Sequence, residues 1–217
     1  MQERQGMVSA PGRVNLIGEH IDYHGLAVLP MALERRIRVE FRARTDRRIH
    51  AASEGYGERE FEWSHALQPV AAGDWENYLR AAARVVGDRW GIGVGLEAHI
   101  ESDLPAAAGL SSSSALIVAC TRAILCANGI EASFQELMEV LPEGEHFVGT
   151  RGGGMDHAAS LSARSGFATL VDFQPVSVRH IAVPEGWTFL VRILWTCAVG
   201  DELFENGGSF LDVAKLA

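Results

Sequence analysis

Across residues 35–44 apolar and charged positions alternate. Ile37, Val39, Phe41 and Ala43 fall on every second place with arginine or glutamate between them, the period of a strand with one face on a core and the other in water. The period changes after Asp74. Trp75, Tyr78, Leu79, Ala82, Val85 and Val86 recur at helical spacing, Asp74 stands where a cap belongs, and Gly91-Ile92-Gly93 supplies the break. Residues 95–101 alternate again until Asp103-Leu104-Pro105, where proline ends regular pairing. From Ala115 through Cys120 and on to Leu125 the chain is apolar nearly all round, which predicts a buried helix stopped at Gly129. A further helix is predicted over 134–141 and another from near Asp156, with strands over 167–173 and 176–183. Helices and strands are mixed, an α+β pattern, with no internal repeat, low-complexity tract or linker-like composition.

Composition narrows the picture. The 217 residues, 47% hydrophobic, suffice for one substantial core and just allow two small domains. No apolar run approaches the ~18 residues of a membrane span, and Met1-Gln2-Glu3-Arg4-Gln5 has no signal-peptide character, so the cytoplasm is the expected compartment. Cys120, Cys126 and Cys197 form neither a metal-ligand spacing nor an even disulfide set, and read as reduced, mostly core residues. The net charge of −9 argues against a nucleic-acid partner; the arginines of 35–48 read as a solvated strand face.

Three segments carry candidate chemistry. Pro105-Ala106-Ala107-Ala108-Gly109-Leu110 and the serines Ser111, Ser112, Ser113 and Ser114 place small residues and hydroxyls where a loop enters a helix. Unpaired amides, the helix dipole and small side chains suit a phosphate there, while serines and alanines equally make an ordinary cap and helix start. The glycine-lysine pattern of a Walker loop is absent. In the segment from Pro11 to Gly25, Glu19 and Asp22 can accept hydrogen bonds and His20 can accept or donate, a set suited to the hydroxyls of a small polar ligand and also compatible with a charged surface turn. Arg13, between Pro-Gly and an apolar stretch, is placed to bind carboxylate or phosphate. Finally Gly152-Gly153-Gly154-Met155-Asp156 presents one carboxylate after three glycines, either as a helix N-cap or as a general base.

Together these segments resemble the galactokinases of the GHMP small-molecule kinase superfamily. The run Pro-Gly-Arg-Val-Asn-Leu-Ile-Gly-Glu-His-x-Asp-Tyr-x-Gly at 11–25 is the most specific; the serine-rich loop is shared across the superfamily. The resemblance implies an α+β GHMP-kinase-like N-terminal domain, ribosomal protein S5 domain 2-like, and transfer of phosphate from ATP with Mg2+ to the anomeric hydroxyl of galactose. It implies catalytic roles for Asp156 as base and Arg13 as charge stabiliser, with Glu19, His20, Asp22 and Gly153 on the sugar. Ala107, Ala108, Gly109, Leu110, Ser111, Ser112 and Ser113 would wrap the phosphates, and Trp75 in Trp-x-Asn-Tyr would lie near the adenine. Ser113 and a glutamate would hold the metal, Glu145 being favoured over Glu143. Gly-Gly-Gly-Met-Asp also resembles N-acetylgalactosamine kinases, and His157 stands where many members carry glutamine. A sugar and ATP sensor without turnover is the alternative reading.

The resemblance covers 1–191. The stretch 192–217 matches nothing in the family, whose members continue into a second half with another glycine-rich motif and a sugar-contacting tyrosine. Asn206-Gly207-Gly208-Ser209 reads as a turn. A truncation or frameshift with an incomplete C-terminal domain is the expectation. Intact members are expected to be monomers, and a fragment prone to associate through uncovered apolar surface.

Overall fold

Long alternating strands build the sheet that positions everything else. β1 (Gln5–Ile17) and β2 (Leu29–Ala43) pair antiparallel from Gln5 opposite Arg42 to Ile17 opposite Leu29, with irregularities at Pro11/Arg13 and Asn15/Ile17. Ile37, Val39 and Phe41 are buried while Glu40 and Arg42 face water, as the alternation predicts. β3 (Arg48–Ser53) and β4 (Gly57–Glu62) form a hairpin. α1 (Glu76–Trp90) crosses over to β5 (Leu96–Ser102), which lies parallel to β3 and antiparallel to β2. The order is β1-β2-β5-β3-β4, and the single parallel pair is the one that needs a helical crossover. At Gly95, a Cβ would meet Arg48 O at 1.9 Å; only glycine admits this approach to β3.

α2 (Ser112–Asn128) packs on β1, β2 and α1. Its Ile117, Val118, Ala119, Cys120, Ala123 and Ile124 are essentially sealed from water, which explains the all-round apolar sequence, and Gly129 ends it in the left-handed conformation. Cys120 sits in this core, and burial pushes its thiol up to about 12; Cys126 is exposed. The side chain of Cys197 lies outside the described residues.

α3 (Phe134–Phe147) runs past the predicted end at Leu141 and through Pro142. Proline removes one backbone bond, but the last turns are held by packing: Gly144 and Glu145 are buried, and the Gly144 backbone sits against Val85 and Ile117. α4 (Met155–Leu161) follows, then the antiparallel pair β6 (Phe167–Phe173) and β7 (Val176–Ala182). Val28 and Val171 exchange backbone hydrogen bonds of 3.1 and 2.9 Å, joining this hairpin to the chain just ahead of β2. Val28, Met138, Met155, Ala158 and Val171 form a second, smaller core there.

This computed structural model describes residues 4–150, 152–187 and 189, and the backbone of strands β8 (Val191–Arg192), β9 (Trp195–Val199), β10 (Glu202–Asn206) and β11 (Phe210–Leu211). β9 pairs with β10 and β8 with β11. The turn expected at 206–209 falls mostly outside the described residues. Among those described, no helix is long and apolar enough to cross a membrane.

Candidate active site

Arg13 lies on β1 and Asp156 in the first turn of α4, 143 positions apart, yet Arg13 Nε donates to Asp156 Oδ1 at 2.6 Å. The arginine is also tied to the serine-rich loop: its Nη1 donates to Gly109 O at 2.9 Å and its backbone N–H to Leu110 O at 3.1 Å. Gly12 permits this, because a Cβ there would come within 2.7 Å of Leu110 O. Ser111 Oγ donates to the other oxygen, Asp156 Oδ2, at 2.5 Å, and Ser114 Oγ stands 3.4 Å from it. The pair is only partly covered, with side chains 12% and 24% exposed, so solvent or a ligand can reach the carboxylate. Gly154 rather than Asp156 occupies the N-cap position of α4. The cap reading of Asp156 is thereby replaced by a carboxylate turned toward Arg13 and Ser111.

Asp22 caps α4 from a distance. Its Oδ2 accepts from Gly153 N at 3.0 Å and Met155 N at 3.4 Å, two donors at the positive end of the helix. A Cβ on Gly153 would lie 2.4 Å from Asp22 C and Tyr23 N, so the two segments meet backbone to backbone. They line one side of an open cleft of about 1030 Å³, with Tyr23, Gly152, Phe173 and Gln174 around it. Glu19 and His20 are exposed in the preceding turn; Asn15 Nδ2 donates to Glu19 Oε2 at 2.7 Å. His20 holds φ 59°.

The loop before α2 is shaped without a protein cap. Ala107 (φ 53°) and Ser111 (φ 57°) are left-handed, and with His20 they are the only non-glycine residues with positive φ among the described residues. Such conformations are costly for residues bearing a Cβ and concentrate at ligand sites. Among the described residues no side chain caps α2, and its first backbone bond runs from Ala115 N to Ser111 O. The amides of Ser112 and Ser113 therefore open the helix ahead of that bond, Gly109 borders open space, and Leu110 is the buried anchor of the loop. Ala108 packs against the main core.

Glu145 and Glu143 separate sharply. Glu143 is exposed, whereas Glu145 is buried and its Oε1 accepts from Ser114 Oγ. Its Oε2 lies so near Gly152 that a Cβ there would meet it at 2.3 Å. Ser113 is half-buried beside Ser114 in the first turn of α2. Trp75 sits elsewhere: its Nε1 donates to Tyr56 O at 3.1 Å and Arg59 lies 5.6 Å above its ring. Asp74 accepts from Glu76 N at 2.9 Å and pairs with Arg59, whose guanidinium holds the carboxyl below its ordinary range.

Known proteins share this arrangement of segments. The GHMP kinases N terminal domain matches residues 77–164, and the galactokinase galactose-binding signature matches residues 1–43. The galactokinase of Chloroflexus aggregans is 38% identical over 179 residues, covering 82% of this chain and 46% of that protein. The chain belongs to the galactokinase family. The Saccharomyces cerevisiae galactokinase is 34% identical over 187 residues, covering 76% of the chain and 35% of the relative. The structure of Lactococcus lactis galactokinase complexed with galactose superposes with a TM-score of 0.77 at 25% identity, over 83% of this chain and 47% of that one. Methanococcus jannaschii mevalonate kinase shares the fold, with a TM-score of 0.68 at 18% identity over 82% of this chain and 56% of that one. The chain spans less than half the length of these galactokinases.

Within this galactokinase-family chain, three participants escaped sequence reasoning. Ser114 contacts both Glu145 and Asp156, although the serine run gave no reason to separate it from its neighbours. Asn15 orders Glu19; its spacing of four in an extended segment carries no such signal. His157 reads as an ordinary surface or core residue in sequence, and is fully buried against Glu145.

Proposed function

We propose that residues 1–191 form the sugar- and ATP-binding region of a kinase that phosphorylates galactose on its anomeric hydroxyl. The observation that carries this reading is the convergence of Arg13 and Ser111 on Asp156, at a carboxylate that remains reachable beside the opening turn of α2.

Phosphoryl transfer asks a protein mainly for positioning and charge neutralisation. In this reading Asp22 and the Gly153 backbone hold sugar hydroxyls in the cleft they line, Glu19 and His20 reach the sugar from the exposed turn before Asp22, and the anomeric hydroxyl meets Asp156. Its oxygen forms a bond to the γ-phosphorus of ATP as the bond to the bridging oxygen breaks and ADP departs; the hydroxyl proton passes to an Asp156 carboxylate oxygen. Arg13, anchored to Gly109 O, offsets charge on the transferring group. The loop of Ala107, Ala108, Gly109, Leu110, Ser111, Ser112 and Ser113 with the open amides of α2 receives the phosphates, and Trp75 flanks the adenine.

Ser113 and Glu145 would hold Mg2+. An oxygen-only donor set suits that ion, and Glu145 Oε2 accepts no hydrogen bond among the described residues while Oε1 is already held by Ser114. Bound there, Mg2+ supplies neutralisation of phosphate oxygens.

The test is a phosphorylation assay with ATP and magnesium, offering galactose, N-acetylgalactosamine and homoserine side by side. Galactose should be the favoured acceptor, and Asp156→Asn should lower turnover by about 10²–10⁴-fold while leaving nucleotide binding intact. Turnover retained in that variant would remove Asp156 from the chemistry, and preference for homoserine would overturn the sugar reading.

A further inference from the structure

His157 follows Asp156 on α4 and has no exposed surface. Among the described residues neither ring nitrogen has a hydrogen-bond partner; Nε2 stands 3.5 Å from Glu145 Oε1, just beyond bonding range. A buried N–H without a partner is costly, and such groups in folded proteins have an explanation. With a proton at Nε2 the ring offers an N–H donor 3.5 Å from the Glu145 carboxylate. The carboxylate is thereby approached at Oε1 by two donors, the Ser114 hydroxyl and the His157 ring, while Oε2 is left beside Gly152.

We propose that His157 is a positioning residue whose Nε2–H orients the Glu145 carboxylate, so that Oε2 is presented to a divalent cation shared with Ser113. The proposal rests on the reading of Glu145 as a cation ligand. It gives a role to a polar ring that is fully buried, where a leucine would fill similar volume without an unpaired nitrogen. Groups placed behind a ligand in this way commonly govern cation affinity about 10–100-fold.

Mn2+ binding, followed by electron paramagnetic resonance in the presence of ADP, tests it on the unaltered protein, His157→Gln and His157→Leu. His157→Gln keeps an N–H donor and should retain binding, whereas His157→Leu should weaken it about 10–100-fold at unchanged melting temperature. Equal binding by His157→Leu and the unaltered protein overturns the role of His157 alone; no binding by the unaltered protein overturns the cation site and the positioning role with it. Should His157→Leu fail to fold, nitrogen-15 NMR of the unaltered ring decides. Protonation at Nε2, with a shift that moves in Glu145→Gln, is expected. Protonation at Nδ1, or a ring indifferent to Glu145→Gln, would contradict the proposal.

Discussion

Asp156 shows how little a single residue's sequence context determines. After three glycines it reads as a cap or a base, with the cap favoured, yet Gly154 takes the cap position and Arg13 and Ser111 reach Asp156 from β1 and the loop before α2. Asp22 went the other way. It was singled out for sugar hydroxyls, and its Oδ2 is engaged by the amides that open α4. Glycine at 153 makes this possible, so Gly153→Ala should push the two backbones apart, weakening galactose binding at least tenfold while changing overall stability far less; calorimetric titration beside thermal melting checks it. Unchanged affinity would separate Asp22 from the sugar. The Glu143 and Glu145 alternatives were open in sequence because neighbours two apart on a helix face different ways only once the helix exists. α3 continues through Pro142, and that continuation turns Glu145 inward.

At the level of elements, legibility followed the strength of the period. β2, α1, α2 and β5 were visible because each buries one regular face or, for α2, all of them. β1 was hidden under its chemistry, since Pro11, Gly12 and Gly18 read as loop and its register is broken at two places. The β3–β4 hairpin was missed because alternation there involves short, charged strands such as Gly57–Glu62, with a single buried side chain, Phe61. α3 was underestimated at its C-terminal end, yet its start is firmly written: Ser133 Oγ accepts from Glu136 N and Glu136 Oε2 accepts from Ser133 N, a reciprocal cap. Ser133→Ala should cost about 1 kcal/mol, measured as a lower urea midpoint at unchanged slope. No loss would mean that packing alone holds α3.

For the molecule as a whole, the sheet with α1, α2 and α3 forms one large core, and β6 with α4 and Val28 a smaller one. The site lies where they meet: Arg13 belongs to a strand of the first, Asp156 to a helix of the second, and Asp22 joins them through the α4 amides. Loosening either core should therefore disturb the site. Leu79, fully buried on α1, should cost about 2–5 kcal/mol when changed to alanine, whereas Leu26, 54% exposed, should cost almost nothing by the same denaturation measurement. That contrast checks that α1 is packed as described. Met7, Ile17 and Trp187 are exposed, but apolar residues scattered on a surface do not make an interface.

The proposed function puts galactose in the cleft lined by Asp22 and Gly153. Nitrogen-15 NMR of the folded chain titrated with galactose tests it most directly, with the amides of Gly153 and Met155 as reporters. Saturable shifts at those amides, lost in Asp22→Asn and absent with homoserine, are the predicted result. Shifts confined to other segments, or none from a sample with a dispersed spectrum, would contradict it.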